Sequence, residues 1–291
     1  MTPAIKASVF DDRPCDLGEG PLWHPTLGQL FWFDIIGKRL LTGSGSDRKA
    51  WQFDEHVSAA GWVDDNTLLV ASETQLFKFD LSTGAQTQVV SLEAEDPSTR
   101  SNDGRADPWG GFWIGTMGKA AEPGKGAIYR FYNGELRQLT APITISNAIC
   151  FAPDRRFAYF TDTPTNMVMR QELDPETGWP AHKAKPWLDL DPLGLVPDGA
   201  VTDAAGNVWI AHWGAGKVSC YGPDAEPIQS VKVPGKHATC PAFGGPNFSR
   251  LFCTSAREGI AQPILDEKPQ NGMTFVAEDV GPGRAEPQVI L

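Results

Sequence analysis

The hydrophobic positions of this chain come in short, dense runs divided by turn residues, not at helical spacing. Six runs are alike: GQLFWFDI (28–35), NTLLVASE (66–73), GGFWIGTM (110–117), RFAYFTDT (156–163), GNVWIAHW (206–213) and SRLFCTSA (249–256). Each is rich in β-branched and aromatic residues and is bounded by Gly, Pro, Asp or Asn, the pattern of a buried strand. Turns such as PDRR, DPWGG and DAAGN stand just before them. A third strand-like segment commonly follows, as in QLFKFDL, GAIYRFY, MVMRQEL and KVSCYGP.

Registered on the turn before the second strand, the first strands begin at Glu19, Ala60, Asn102, Asn147, Asp198 and Cys240, in steps of 41, 42, 45, 51 and 42 residues. A period of about 40–50 residues with three or four strands per copy is the signature of a β-propeller. The predicted fold is all-β: a six-bladed β-propeller, each blade a four-stranded antiparallel sheet. Six copies fill residues 1–291 as a single domain. A two-sheet sandwich also has many short strands, but it does not generate an in-phase period of this length. The outer strand of the last blade can come from IKASVF (5–10) or from PQVIL (287–291), and the sequence does not choose between them.

The first strand of a propeller blade lines the central channel, so equivalent positions in different copies form a ring. Here four of the six registered positions carry side-chain oxygen: Glu19, Asn102, Asn147 and Asp198. Carboxylates in such a channel are expensive unless something pairs with them. A hard divalent cation prefers oxygen ligands of this kind, and Glu19 with Asp198 supplies two negative charges. The plainer reading has these side chains capping backbone groups or holding water. It serves for one residue taken alone, and less well for four in register.

Composition narrows the function. The net charge of −11 opposes binding to a phosphate backbone, so no nucleic-acid partner is expected. No apolar stretch reaches membrane-spanning length, and the N-terminus lacks the pattern of a signal peptide, so a cytoplasmic protein without membrane contact is expected. The five cysteines, Cys15, Cys150, Cys220, Cys240 and Cys253, are odd in number and widely spaced, which opposes a disulfide framework or a zinc ribbon. H-E-x-x-H, G-x-S-x-G and P-loop motifs are absent. The five histidines share no ligand spacing; His24 and His212 read as structural, and for His237, just before the sixth channel strand, a place at the pocket mouth is the less favoured reading.

LGEGPLW (17–23), RSNDGRADPWGGFWIGTM (100–117), ISNAICFAPD (145–154), VPDGAVTDAAGNVWIA (196–211) and CPAFGG (240–245) together resemble the senescence-marker-protein-30, gluconolactonase and regucalcin-like family. The resemblance extends over nearly the whole chain. It implies a six-bladed propeller with one divalent metal in the channel, and hydrolysis of sugar lactones. It implies Glu19, Asn147 and Asp198 as metal ligands, with Asp198 also the general base. It implies Arg100 and Asn102 as substrate-binding residues. Two departures stand out. Some members carry a substrate-contacting glutamate soon after the third-blade TM, where this chain has Ala120, with Glu122 displaced from that position. Members usually have glycine after the SN asparagine, where this chain has Ala148.

The expected activity is therefore metal-dependent opening of a sugar-acid lactone, by a monomer acting on a small molecule. Ca²⁺ is the first expectation for the ion, with Mn²⁺, Mg²⁺, Zn²⁺ or Fe²⁺ also compatible. Trp109, Trp213 and Phe243 are candidates to pack on the sugar, although core packing is the plainer role for each. The rival readings are a metal-dependent phosphotriesterase or esterase of the same fold, a non-enzymatic calcium-binding protein, an interaction propeller, and a condensing enzyme of the strictosidine-synthase type.

Overall fold

The computed structural model describes residues 5–43 and 45–291. Its six sheets follow one another in chain order as six blades. The inner strands are Gly18–His24, Val57–Asp64, Thr99–Ala106, Ser146–Phe151, Val196–Thr202 and His237–Gly244. They begin one to three residues before the predicted starts. The six apolar runs form the second strands, Gln29–Asp34, Thr67–Ser72, Phe112–Gly118, Phe157–Asp162, Val208–Trp213 and Arg250–Ala256. Second strands are covered by neighbouring blades on both faces, which is why their sequences are near-continuous apolar runs and do not alternate.

Adjacent blades share cores. Phe31 and Phe33 of the first blade pack with Leu68, Val70, Phe77 and Phe79 of the second. Burying each of these side chains contributes roughly 1.5–3 kcal/mol. All five cysteines are free and buried. Among the described residues, no helix is long and apolar enough to cross a membrane.

The ring is closed by the N-terminal segment. Ser8–Asp11 pairs antiparallel with Thr274–Ala277 as the outer strand of the sixth blade. Phe10 anchors it, edge-on to Phe252 with ring centroids 4.9 Å apart. Ile5–Lys6 pairs parallel with the outer strand of the fifth blade, giving that blade a fifth strand. Residues 287–291, the other candidate for closure, form no strand.

Each inner strand breaks register with its neighbour near its beginning, at Glu19/Leu22, Val57/Ala59, Ser101/Gly104, Asn147/Cys150, Pro197/Ala200 and Ala238/Pro241. Such bulges re-aim side chains and are frequent beside functional sites. They also correct the repeat register. Glu19 and Asn147 are the last paired residues before the break, whereas Asn102 and Asp198 lie one residue later, inside it. The extra unpaired residues differ in placement between blades, and turn-to-turn spacing does not reveal them.

Candidate active site

The bulges sit at the end of the channel where the inner strands begin. A cavity of about 530 Å³ opens there, within the usual range for small-molecule sites. Glu19, Arg100, Asn102, Asn147 and Asp198 all line it. The other two registered positions do not: Ala60 packs in the core, and the Cys240 thiol lies deeper, 3.9 Å from Arg105. Four oxygen-bearing residues from the first, third, fourth and fifth blades thus converge without occupying one register position.

Local backbone geometry explains how Glu19 enters. Gly20 follows it at φ +51°, a left-handed conformation open to glycine, and its amide donates to Glu19 Oε2 at 3.0 Å. A Cβ on Gly20 would lie 2.2 Å from the carbonyl oxygen of Ser58. Ala148 takes the equivalent left-handed conformation after Asn147, at φ +56°.

The amides form a linked network. Asn102 Nδ2 donates to the Ser146 carbonyl at 2.8 Å and to Asn147 Oδ1 at 3.2 Å. Asn147 Nδ2 donates to Thr163 Oγ1 at 2.9 Å, which donates to the Pro197 carbonyl at 3.0 Å. Asn147 Oδ1 accepts from Asn102 and keeps its second lone pair for a ligand. Arg100 Nη1 donates to Asn102 Oδ1 at 2.8 Å and to the Ser101 carbonyl at 2.9 Å.

The carboxylates are as buried as the amides but carry charge without a cationic side-chain partner. Glu19 and Asp198 are each 5% exposed, and among the described residues neither has an ion-pair partner. Burial, then the charge of Asp103, raises the Glu19 carboxyl above its ordinary range. Burial, then the charge of Glu19, raises Asp198. Asp103 is pushed up to about 6 by burial; its Oδ2 accepts from the Ile149 amide at 2.7 Å, while its buried Oδ1 has no partner. A pocket that strains its carboxylates toward the neutral form is short of positive charge. The residues fit a divalent cation: two carboxylates and the Asn147 amide oxygen are hard donors. Among the described residues no three His, Cys, Asp or Glu side chains cluster as ligands, so the amide is needed as the third.

Of the remaining walls the sequence pointed to Ala120 and Trp213 but not to Lys119, Ala121 or Glu258. Lys119, Ala120 and Ala121 line the cavity from the third blade, Glu258 from the sixth, and Trp213 from the fifth. Lys119 pairs with Glu73. Glu258 is exposed and lies on the loop after Arg250–Ala256. For Lys119, Ala121 and Glu258 the one signal available in advance was position, since second strands end at the face where inner strands begin. Glu122 does not line the cavity. Its Oε2 turns back to accept from the Ala120 amide at 3.1 Å. Of the three aromatic candidates only Trp213 reaches the cavity. Trp109 donates its indole N–H to the Pro175 carbonyl, and Phe243 is buried against Trp209. His237 stacks on Trp213 with centroids 4.1 Å apart and sits behind it. His24 bonds the Asp64 carbonyl, and His212 is buried beside Tyr221.

Residues 17–257 match the family model described as the SMP-30/Gluconolactonase/LRE-like region. The chain is 41% identical to a putative sugar lactone lactonase of Rhizobium meliloti over 99% of both chains. It is 37% identical to the L-arabinolactonase of Azospirillum brasilense, over 97% of this chain and 95% of that one. Among solved structures it superposes with TM-score 0.96 on a calcium-binding protein, regucalcin, from Agrobacterium tumefaciens, at 41% identity, covering 99% of this chain and 98% of that one.

Proposed function

Because the chain belongs to the SMP-30/gluconolactonase/LRE-like family, we propose that it is a divalent-metal-dependent lactonase that opens a sugar-acid lactone to the free aldonic acid. The observation that carries this reading is the pair of buried carboxylates, Glu19 and Asp198, facing one cavity with Asn147 and Arg100 and lacking a cationic partner. The lactonase names of the relatives support the reaction class.

In this reading Glu19, Asn147 and Asp198 hold the cation. The chemistry it supplies there is Lewis-acid polarisation of the ester carbonyl and of water. Asp198 accepts the proton of the attacking water as its oxygen adds to the carbonyl carbon; collapse of the tetrahedral adduct breaks the ring C–O bond, and the proton held on Asp198 passes to the departing alkoxide oxygen. Arg100 keeps guanidinium nitrogens free beyond its bonds to Ser101 and Asn102, and these donate to oxygens of the lactone. Asn102, whose amide is already engaged, contacts the substrate from the wall and holds Arg100 and Asn147 in place. Oxygen donors favour Ca²⁺, Mg²⁺ or Mn²⁺ over zinc, with Ca²⁺ first.

The test is proton release by EDTA-stripped protein against a panel of aldonolactones, with single divalent ions added back. Hydrolysis restored by an ion is the expected result. Ion binding with every lactone left intact would overturn the reaction and keep the cation site.

A further inference from the structure

The end of the channel opposite the cavity is sealed by the chain after the last strand. Val280 N donates to the Ser249 carbonyl at 3.0 Å, and Gly283 N to the Phe248 carbonyl at 3.0 Å. The Pro282 carbonyl accepts from Ala204 N at 2.9 Å, and Arg284 Nη2 donates to the Phe151 carbonyl at 2.6 Å. Val289 N reaches the Trp62 carbonyl at 2.9 Å and Ile290 N the Gly110 carbonyl at 2.8 Å. These bonds touch the second to sixth blades. Packing is close enough that a Cβ on Gly61 would stand 2.4 Å from Val289 Cγ2.

Arg284 of this segment reaches the ends of the fourth and fifth inner strands, and Glu286 goes deeper into the channel. Glu286 pairs with Arg105, and both are buried. Arg105 comes from the inner strand that carries Asn102, roughly 10 Å further along at the usual strand rise. Its guanidinium spans the channel. Nε donates to the Ile149 carbonyl at 3.2 Å, and Nη2 to those of Ala200 at 2.9 Å and Pro241 at 3.4 Å. Those carbonyls belong to the fourth, fifth and sixth inner strands.

Buried charges crowd the channel: Glu19, Asp103, Asp198 and Glu286 face Arg100 and Arg105, and Arg284 of the plug segment stands beside Glu286 at the far end. Carboxylates outnumber guanidiniums, so the channel favours a cation. Without Glu286, the Arg105 charge beneath the cation position would be opposed mainly by Asp103 and would repel the ion more strongly. In a low-dielectric interior such a charge acts over this distance with little screening.

We propose that Glu286 is a positioning residue for the cation site: without being a ligand, it neutralises Arg105 and so keeps that guanidinium from repelling the ion. The segment 280–290 is on this view part of the ion site as well as a plug of the channel. The inference rests on the cation reading above and not on lactone chemistry.

The experiment is calorimetric titration of Ca²⁺ alone into EDTA-stripped wild type, Glu286→Gln, and the double variant Arg105→Met/Glu286→Gln. Gln is isosteric and can still present an oxygen to Arg105, so Glu286→Gln should fold, which melting of the ion-free protein checks. Its Ca²⁺ affinity should fall on the order of tenfold or more. The double variant removes the Arg105 charge together with that of Glu286 and should return toward wild-type affinity, an outcome that a merely structural role would not produce. Wild-type affinity in Glu286→Gln overturns the proposal, and so does a double variant as weak as the single. Should the double variant fail to fold, the comparison of wild type with Glu286→Gln decides alone. Wild type that takes up no divalent ion overturns the cation reading itself, and this proposal with it.

Discussion

Arg100 Nη1 donates to Asn102 Oδ1 at 2.8 Å, so two residues of one strand, two positions apart, act as a unit at the wall of the cavity. The bond fixes a buried guanidinium whose charge is otherwise costly to desolvate; burial pulls Arg100 below its ordinary pKa. It also engages the oxygen of Asn102, whose Nδ2 orients Asn147. Arg100→Ala should raise KM at least tenfold, because a charge-assisted hydrogen bond is worth roughly 1.5–3 kcal/mol, while ion affinity should hold or rise, since a positive charge leaves the cavity wall. Asn102→Ala should disturb both. Lactone kinetics and ion titration on the two variants separate the roles, and an equal loss of ion binding in Arg100→Ala would refute its part in holding substrate.

Asp198→Asn keeps the shape of the side chain and removes its charge and basicity. Turnover should fall by about 10²–10⁴-fold, the usual span for losing a general base. Ion affinity should fall as well, since one of two carboxylate ligands is gone. Near-wild-type hydrolysis by this variant, measured with saturating ion, would exclude Asp198 as the base.

Stability should depend on pH and on the ion together. In the ion-free protein Glu19 and Asp198 are raised above their ordinary values of 4.5 and 3.8 by burial and by neighbouring carboxylates. A raised folded-state pKa gives stability that is present below the unfolded value and lost as pH rises through the folded one. The EDTA-stripped protein should therefore become less stable as pH climbs above about 4 toward neutrality and beyond. Added Ca²⁺ should raise the melting temperature, by more at pH 8 than at pH 5, as binding to the native state alone stabilises by mass action. Melting curves at both pH values with EDTA or Ca²⁺ check this, and an equal ion effect at the two would contradict it.

Gly20→Ala places a methyl on a left-handed residue, 2.2 Å from the Ser58 carbonyl oxygen. It should cost about 2 kcal/mol or more and displace Glu19. Denaturant unfolding and ion titration report the two losses, and a variant as stable as wild type would show that the bulge tolerates a side chain.

Because the Glu122 carboxylate turns to its own loop, Glu122→Ala should leave KM within about threefold of wild type, the small effect usual for an exposed substitution away from the site. Ala120→Glu adds a carboxylate to the cavity wall and should reorder the preferred lactones. Kinetics of both variants across the substrate panel distinguish the positions. A large loss in Glu122→Ala with no change in Ala120→Glu would reverse their assignment.

Six blades, their second strands and part of the cavity wall, Glu19, Arg100, Asn102, Asn147 and Asp198, were legible in the sequence alone. Periodicity, turn residues and apolar runs are local signals, and a sixfold repeat converts local signals into spatial position. Family membership was legible for the same reason, because its motifs stand at corresponding places in successive copies. Tertiary structure decided the rest. Ser8–Asp11 closes the ring because Phe10 finds Phe252 and Trp32, whereas residues 287–291, equally apolar, lie across the channel end. Backbone pairing uses groups common to all residues, so composition could not choose between the two segments. The bulges moved Asn102 and Asp198 one residue out of register with Glu19 and Asn147, since an unpaired residue leaves no mark on spacing. Arg105 and Glu286 meet across 181 residues, and only the folded channel, where an isolated charge is costly, makes them partners.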